Sequence, residues 1–247
     1  MCPFRIRAGS PQPAFSRLAS EAESGLENVY LTSRAGSKIR LYDRAIVAER
    51  NGLRAPWPEV FSLMWEAYLA GTIPVGAVVV DEAGEVVGRG RNRTFDKGRD
   101  KQLSGSRLAH AEVNALLALG SDSTYEGFSL YTSLEPCHLC VSAAIAVRVG
   151  RLWYAAREPY AGAVAKLLPS ADHEAHPLSV EGPLTDAAGR LPELLHLAHC
   201  LRRSPNGGVA SFYRSRRPDL VAAAQGLPPP DPDATLADAF AALDTPT

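Results

Sequence analysis

Lysine is scarce in this chain: only four of its 26 basic residues are lysines, and the formal net charge at pH 7 is −1. A chain with so little excess charge does not attract polyanions over its whole surface, although local basic patches stay open. No apolar run approaches the roughly 20 residues of a membrane-spanning helix. The first residues also lack the apolar stretch of a secretory signal. We therefore expect a soluble, cytoplasmic protein without a membrane partner.

Cysteine is equally scarce, since the chain has four: Cys2, Cys137, Cys140 and Cys200. This number and spacing do not indicate a disulfide framework, which agrees with a reducing compartment. Cys137 and Cys140 are three residues apart, so on a helix they share a face and can grip one ion. Pro136 favours a helix that starts here, and the partial positive charge of a helix N-terminus favours thiolates. The run therefore predicts two metal ligands at the start of a helix.

A second motif lies upstream, where His110 and Glu112 open an apolar helical run. One histidine nitrogen and two cysteine sulfurs suit a catalytic zinc ion, because they leave the fourth tetrahedral position open for water. Either fragment alone is also typical of a redox pair, a structural half-site or an ordinary histidine. Their combination matches H-x-E…P-C-x-x-C, the signature of zinc-dependent nucleobase deaminases. It predicts one zinc ion per chain, with Glu112 as the catalytic proton carrier. The predicted zinc ligands are His110, Cys137 and Cys140.

The order of the predicted elements indicates an α/β domain. A buried strand over 73–81 and a second strand over 86–91 form a hairpin, after which helices and strands alternate up to residue 156. This β-β-α-β-α-β order is typical of helices packed on a sheet. The other predicted elements are helices over 59–70, 108–119, 137–148 and 191–201 and strands over 128–133 and 151–156. The stretch 161–189 is predicted to be irregular.

Composition divides the chain into three parts. Residues 1–55 are turn-rich at their start and are predicted to form a partly disordered N-terminal extension. Residues 56–217 carry both motifs and form the predicted zinc deaminase domain. Residues 218–247 include the run PPPDPDA and are predicted to be a Pro-rich C-terminal tail, with a short amphipathic helix within 233–243.

Several further stretches accompany the two motifs. The full set is residues 74–78, 90–93, 110–112, 134–137 with Cys140, and 150–151. On these residues the chain resembles the cytidine-deaminase-like superfamily, and within it the branch of bacterial tRNA adenosine deaminases and guanine or cytosine deaminases. The resemblance implies a three-layer α/β/α fold with a mixed five-stranded sheet, and a homodimer. It also implies the zinc and proton-carrier roles given above, and that Asn92 contacts the substrate.

The resemblance leaves the substrate open, because some stretches depart from the family pattern. Residues 157–163 read REPYAGA where tRNA deaminases typically carry an Asp-Lys-Thr-Gly-Ala-like stretch, and the loop over 95–106 is longer. This loop could cover a small ligand, and the low net charge suits a small substrate. We therefore expect a zinc-dependent hydrolytic deaminase of a nucleobase, nucleoside or related small metabolite, releasing ammonia.

Two alternatives stay open. The first is a tRNA adenosine-to-inosine deaminase, favoured by five late arginines that could track a phosphate backbone or could simply form a solvated helix face. These arginines are Arg202, Arg203, Arg214, Arg216 and Arg217. The second is a noncatalytic, zinc-stabilised interaction protein, in which Glu112 would be dispensable.

Overall fold

The structure is a computed structural model, and it describes residues 30–32, 38–40, 52–97, 102–121, 124–168 and 174–243. Contacts divide the chain into two units, residues 1–42 and residues 43–247. In the first unit, strands β1 (Tyr30–Thr32) and β2 (Lys38–Arg40) pair antiparallel. The rest of the predicted N-terminal extension, up to residue 51, lies outside the described residues.

The second unit is built on a mixed five-stranded sheet. Its strands are β3 (Gly76–Val80), β4 (Val86–Arg91), β5 (Ser129–Leu134), β6 (Arg151–Ala156) and β7 (Ser179–Glu181), in the spatial order β4-β3-β5-β6-β7. β3 pairs antiparallel with β4 and β5, whereas β5, β6 and β7 run parallel. The predicted hairpin and the predicted mixed sheet are therefore confirmed.

Helices cover both faces of this sheet. The described helices are α1 (Trp57–Leu69), α2 (Ala111–Leu116), α3 (His138–Val147), α4 (Val164–Leu167), α5 (Asp186–Arg203), α6 (Gly208–Arg216), α7 (Pro218–Gly226) and α8 (Leu236–Ala241). Successive side chains of a strand point to opposite faces. Accordingly, Ala77 and Val79 pack with α2 and α3, whereas Val78 and Val80 pack with α1, α5 and α8. This is the three-layer α/β/α fold that the resemblance implied.

Helix α2 is shorter than the helix predicted over 108–119. It begins after His110 because the backbone of this residue is extended, with ψ 152°. The helix also lies unusually close to β4. A Cβ atom at Gly90 would meet the backbone of Ala111 and Ala115, so only glycine fits at this strand position. The close packing fixes the first turn of α2 at the end of β4.

The stretch over 161–189 was predicted to be irregular, and this prediction is wrong in part. It contains α4 and β7, and Val180 of β7 lies opposite Leu152 of β6. β7 has only three residues. A strand this short carries no alternation that a sequence pattern could reveal.

The C-terminal segment is more ordered than a Pro-rich tail. α7 packs on α5, and the predicted short helix within 233–243 is present as α8. Leu236 and Phe240 of α8 are buried, and the Phe240 ring meets Phe61 of α1 edge-on at 5.6 Å. Thr235 and Asp238 form a capping box that starts α8. Composition misled the prediction because the prolines lie between two helices whose apolar faces dock on the domain.

No described helix is both long enough and apolar enough to cross a membrane.

Candidate active site

Two helices begin at the edge of the sheet where the parallel strands end. β5 ends at Leu134, and the chain then reaches Cys137, which is the N-cap of α3. His110 is the N-cap of α2. Ligands of α/β proteins commonly bind at the carboxyl ends of strands. The fold therefore brings both sequence motifs to one place, with the first turn of each helix directed at it.

The three predicted zinc ligands lie together. His110 Nδ1 is 3.5 Å from Cys137 Sγ and 3.4 Å from Cys140 Sγ, and the two sulfurs are 3.7 Å apart. With Zn–S bonds of about 2.3 Å and Zn–N bonds of about 2.0–2.1 Å, a tetrahedral site places two sulfurs about 3.8 Å apart and nitrogen and sulfur about 3.6 Å apart. The donor atoms thus fit a zinc ion. Elsewhere in the described part of the chain, no group of three is spaced for a metal.

The thiols and the imidazole share protons in a way that suits metal binding. Hydrogen bonds from Cys140 and His110 lower the pKa of Cys137 to about 3, even though burial opposes this. The hydrogen bond to Cys137, together with burial, raises the pKa of Cys140 well above its usual value. The Cys137 hydrogen bond also raises the pKa of His110. The lowered pKa of Cys137 favours a thiolate at this position, and a metal ion would displace the remaining protons.

Glu112 lies beside the ligands in the first turn of α2. Its side chain is buried, and burial raises its pKa. The hydroxyl of Thr132 on β5 donates a hydrogen bond of 3.2 Å to Glu112 Oε1. A carboxyl group with a raised pKa accepts a proton more readily, as a general acid–base group must. The sequence pattern predicted Glu112, but not Thr132 as its partner.

Asn92 follows β4, and two hydrogen bonds fix the oxygen of its side-chain amide. This oxygen accepts hydrogen bonds from the Thr72 hydroxyl at 2.9 Å and from the Thr94 amide at 3.0 Å. The Arg93 amide donates to the Ala109 carbonyl at 2.9 Å, which ties this segment to the residue before His110. Within the described residues the Asn92 amide nitrogen has no hydrogen-bond partner. It is therefore available to donate to a ligand.

Two polar residues that sequence reasoning missed fix the loop around Asn92. Asn114 of α2 accepts a hydrogen bond from the Leu103 amide at 2.8 Å and donates to the carbonyls of Arg91 and Leu103. Asp96 accepts bonds from Arg91 at 2.7 Å and from Arg93 at 2.9 Å. Burial raises the pKa of Asp96, but these arginines outweigh it and hold the pKa below its usual value. The signal for Asn114 in the sequence was its position as a polar residue inside the otherwise apolar run 113–117.

The divergent stretch 157–163 lies against the second motif. Gly162 forms a bridge with Cys137, and the Ala163 amide donates to the Pro136 carbonyl at 3.0 Å. The carboxylate of Glu158 accepts from the Tyr160 amide at 3.2 Å, and burial raises its pKa. Glu158 therefore closes a turn of its own loop, and the loop forms a wall beside Cys137.

Comparison with known proteins agrees with this geometry. Residues 57–156 match the cytidine and deoxycytidylate deaminase zinc-binding region. The chain is 38% identical over 149 residues to the tRNA(Ile)-lysidine synthase of Deinococcus radiodurans, a match over 58% of this chain and 24% of that protein. It is 38% identical over 96 residues to the tRNA-specific adenosine deaminase of Agrobacterium fabrum, which covers 37% of this chain and 57% of that protein.

Among solved structures, the guanine deaminase from Nitrosomonas europaea is 29% identical, with a TM-score of 0.42 over 58% of this chain and 86% of that one. The chain spans about a quarter of the length of the tRNA(Ile)-lysidine synthase and somewhat more than half of the length of the tRNA-specific adenosine deaminase. The matched region contains both motifs and Asn92. Through residues 57–156 the chain belongs to the cytidine-deaminase-like superfamily.

Proposed function

We propose that the chain is a zinc-dependent hydrolytic deaminase of a nucleobase, a nucleoside or a related small metabolite. The observation that carries this proposal is the placement of a buried carboxyl group, Glu112, beside three donor atoms spaced for zinc. In this proposal His110, Cys137 and Cys140 hold one zinc ion. When bound, zinc supplies a Lewis acid that makes water a nucleophile near neutral pH.

Glu112 carries the protons in this reaction. Its carboxylate takes a proton from the attacking water and passes it to a ring nitrogen, while the water oxygen bonds to the amine-bearing carbon. A second proton then passes through the same carboxyl group to the amine, the C–N bond breaks, and ammonia leaves. The raised pKa of Glu112 suits the intermediate stage, in which the carboxyl group holds a proton.

Asn92 would orient the base. Thr72 and Thr94 fix its amide oxygen, so the amide nitrogen is directed to donate to an acceptor on the substrate. Each purine or pyrimidine with an exocyclic amine also carries ring nitrogen or carbonyl acceptors. The Asn92 amide therefore suits any base with an exocyclic amine and does not select one of them.

A tRNA adenosine deaminase is the second candidate, and the relatives named tRNA-specific adenosine deaminase favour it. The late arginines give it less support than their number suggests. Arg202 donates to the Tyr68 hydroxyl and to the carbonyls of residues 227 and 228. Arg217 pairs with Asp219 at 3.0 Å. These guanidinium groups already have partners within the chain.

The other three late arginines differ in the contacts that their guanidinium groups make. Arg214 donates to the Pro205 carbonyl, whereas Arg203 and Arg216 each lie over an aromatic ring. Only the last two offer guanidinium groups without a hydrogen-bond partner among the described residues. Two such groups neutralise few phosphates, and a tRNA enzyme needs several neutralised phosphates for affinity. We therefore keep the small substrate first.

A noncatalytic zinc site is the third candidate, and the donor count opposes it. Structural zinc sites almost always have four protein ligands, whereas the cluster in the described residues has three. A structural role also gives no reason to bury a carboxyl group such as Glu112 beside the ligands, because burial of an ionisable group costs free energy.

An ammonia-release assay tests the proposal and ranks its alternatives. Wild-type protein and the Glu112→Gln variant are offered free bases, nucleosides and an anticodon stem-loop at two salt concentrations. The proposal expects release from a small substrate that Glu112→Gln abolishes. Efficient stem-loop deamination that weakens steeply with salt, beside no reaction of any small substrate, would favour the tRNA enzyme. No release from any substrate would favour the noncatalytic role.

Assembly as a homodimer and a cytoplasmic location stay predictions. Leu108 and Leu117, which flank α2 in the sequence, are 55% and 53% exposed. Contact of these side chains with a second copy of the chain would remove apolar surface from water, which is favourable. Light scattering during gel filtration should give twice the chain mass of 26.4 kDa. A monomer mass at micromolar concentration would contradict the dimer.

A further inference from the structure

A cavity of about 310 Å³ opens between the end of α1 and the last turn of α5. Its lining combines two arginines and a histidine with no carboxylate. The lining residues are Tyr68, Gly71, His199, Arg202, Arg203 and Pro230. In the described part of the chain, neither arginine has an acidic partner. The cavity therefore concentrates positive charge that the fold itself does not neutralise.

Arg202 and Arg203 are held in different ways. Arg202 is anchored by the Tyr68 hydroxyl at 3.1 Å and by two backbone carbonyls, so its charge stays in place without an anion. Arg203 lies 3.5 Å above the ring of Phe95, which in turn stacks on His199 at 6.0 Å. A cation over an aromatic face keeps its N–H groups at the rim of the ring, where they can still donate. Arg203 is therefore pre-oriented and uncommitted.

His199 is neutral in this setting. Burial lowers its pKa to about 4, and the positive charges of Arg203 and Arg202 act in the same direction. A neutral imidazole keeps one N–H donor. The cavity wall thus offers hydrogen-bond donors to an anion, and no carboxylate among its lining residues competes for these donors.

One residue of the cavity wall is the sequence neighbour of a residue that holds Asn92. Gly71, in this wall, precedes Thr72, and the Thr72 hydroxyl donates to the Asn92 amide oxygen at 2.9 Å. The Phe95 amide donates to the same hydroxyl at 3.4 Å. Thr72 therefore connects the residue that would hold the base with the ring that supports Arg203.

We propose that this cavity binds the phosphate of a nucleoside monophosphate whose base is held at Asn92. The inference rests on the proposed function, and it narrows the substrate from a base or nucleoside to a nucleotide. Guanidinium groups bind phosphate through paired, charge-assisted hydrogen bonds. Arg203 makes the phosphate contact, whereas Arg202 supplies fixed charge.

Ribose 5-phosphate is the first probe, because it carries the phosphate without a base and its binding does not depend on deamination. Binding is followed by ³¹P NMR titration of the wild-type chain, Arg203→Ala and Arg216→Ala. Arg216 is a matched control, since it too lies over an aromatic ring, Phe212, but outside the cavity. We expect Arg203→Ala to weaken binding about 10- to 100-fold, the range for hydrogen bonds to a charged group. Arg216→Ala should leave it unchanged.

Absence of binding to the wild-type chain, or equal weakening in both variants, would overturn the phosphate site. Circular dichroism of Arg203→Ala shows whether the fold is kept, as expected for an exposed side chain. If Arg203→Ala does not fold, the titration uses Arg203→Lys instead, because lysine keeps the charge but not the paired donors. That variant should weaken binding less than alanine, and binding equal to that of the wild-type chain would count against the phosphate contact.

Turnover is the second readout, and it separates this inference from the proposed function. KM for ammonia release should be at least about ten-fold lower for a nucleoside monophosphate than for the same nucleoside, and Arg203→Ala should remove the difference. Deamination without this preference overturns the nucleotide assignment and leaves the deaminase intact. Ribose 5-phosphate binding without any deamination overturns the proposed deaminase function and leaves the phosphate site intact. Loss of stem-loop deamination alone in Arg203→Ala would assign the phosphate to a polynucleotide and overturn the mononucleotide.

Discussion

Replacement of Glu112 by glutamine should abolish turnover while leaving the fold and the zinc site in place. Glutamine keeps the shape of the side chain, and its amide oxygen can still accept the 3.2 Å hydrogen bond from the Thr132 hydroxyl. The amide cannot take up and release a proton. Since general acid–base groups contribute about 10²–10⁴-fold, the rate should fall by at least that factor.

Thr132→Val provides a graded control, because it keeps Glu112 and removes only the hydrogen bond that orients it. One hydrogen bond contributes about 1 kcal/mol, which corresponds to about a five-fold loss of rate. Steady-state ammonia release measures both variants, and elemental analysis and thermal unfolding confirm metal content and fold. If Glu112→Gln retained more than about a tenth of the wild-type rate with zinc bound, or lost its zinc, the assignment of proton transfer to Glu112 would fail.

Three further predictions follow from the contacts around the site and the core. Cys140→Ala should lose its zinc in elemental analysis, and one zinc per chain in this variant would remove Cys140 from the ligand set. Asp96→Asn removes the carboxylate that accepts hydrogen bonds from Arg91 and Arg93, and it should lower the free energy of unfolding at pH 7 by about 3 kcal/mol. The folded pKa of Asp96 is lowered from 3.8, so the difference in unfolding free energy between the two proteins should persist above pH 3.8 and shrink as the pH falls through the folded pKa. A difference that stays constant in urea titrations at acid pH would contradict the ion pair. Phe240→Ala should destabilise the chain by about 3–5 kcal/mol, and a change below about 1 kcal/mol would show that α8 does not support the core.

The cluster of three donor residues and the sheet were predictable from the sequence because local chemistry restricts them. Zinc accepts few donor types. His110 and the Cys137–Cys140 pair each stand at the start of a helical run. Apolar runs with turns between them likewise predicted β3 to β6. The geometry then brings His110, Cys137 and Cys140 together, although the roles of these residues stay predictions.

The contacts that position the substrate side were not predictable, since they join residues that are distant in sequence. Thr72 reaches Asn92 across a strand pair, and Asn114 reaches back to the loop at Leu103. The docking of Phe240 on Phe61 joins the two ends of the domain. Pattern and composition describe neighbours along the chain, so they assigned that helix to a tail.

Zinc K-edge X-ray absorption of the wild-type chain measures the proposed metal site itself. We expect one zinc per chain with two sulfur ligands at about 2.3 Å and two nitrogen or oxygen ligands at about 2.0–2.1 Å, one of which is an imidazole. These are the distances that fit donor atoms separated by 3.4–3.7 Å. A shell of four sulfurs, a shell without sulfur, or a chain that binds no zinc would contradict this expectation.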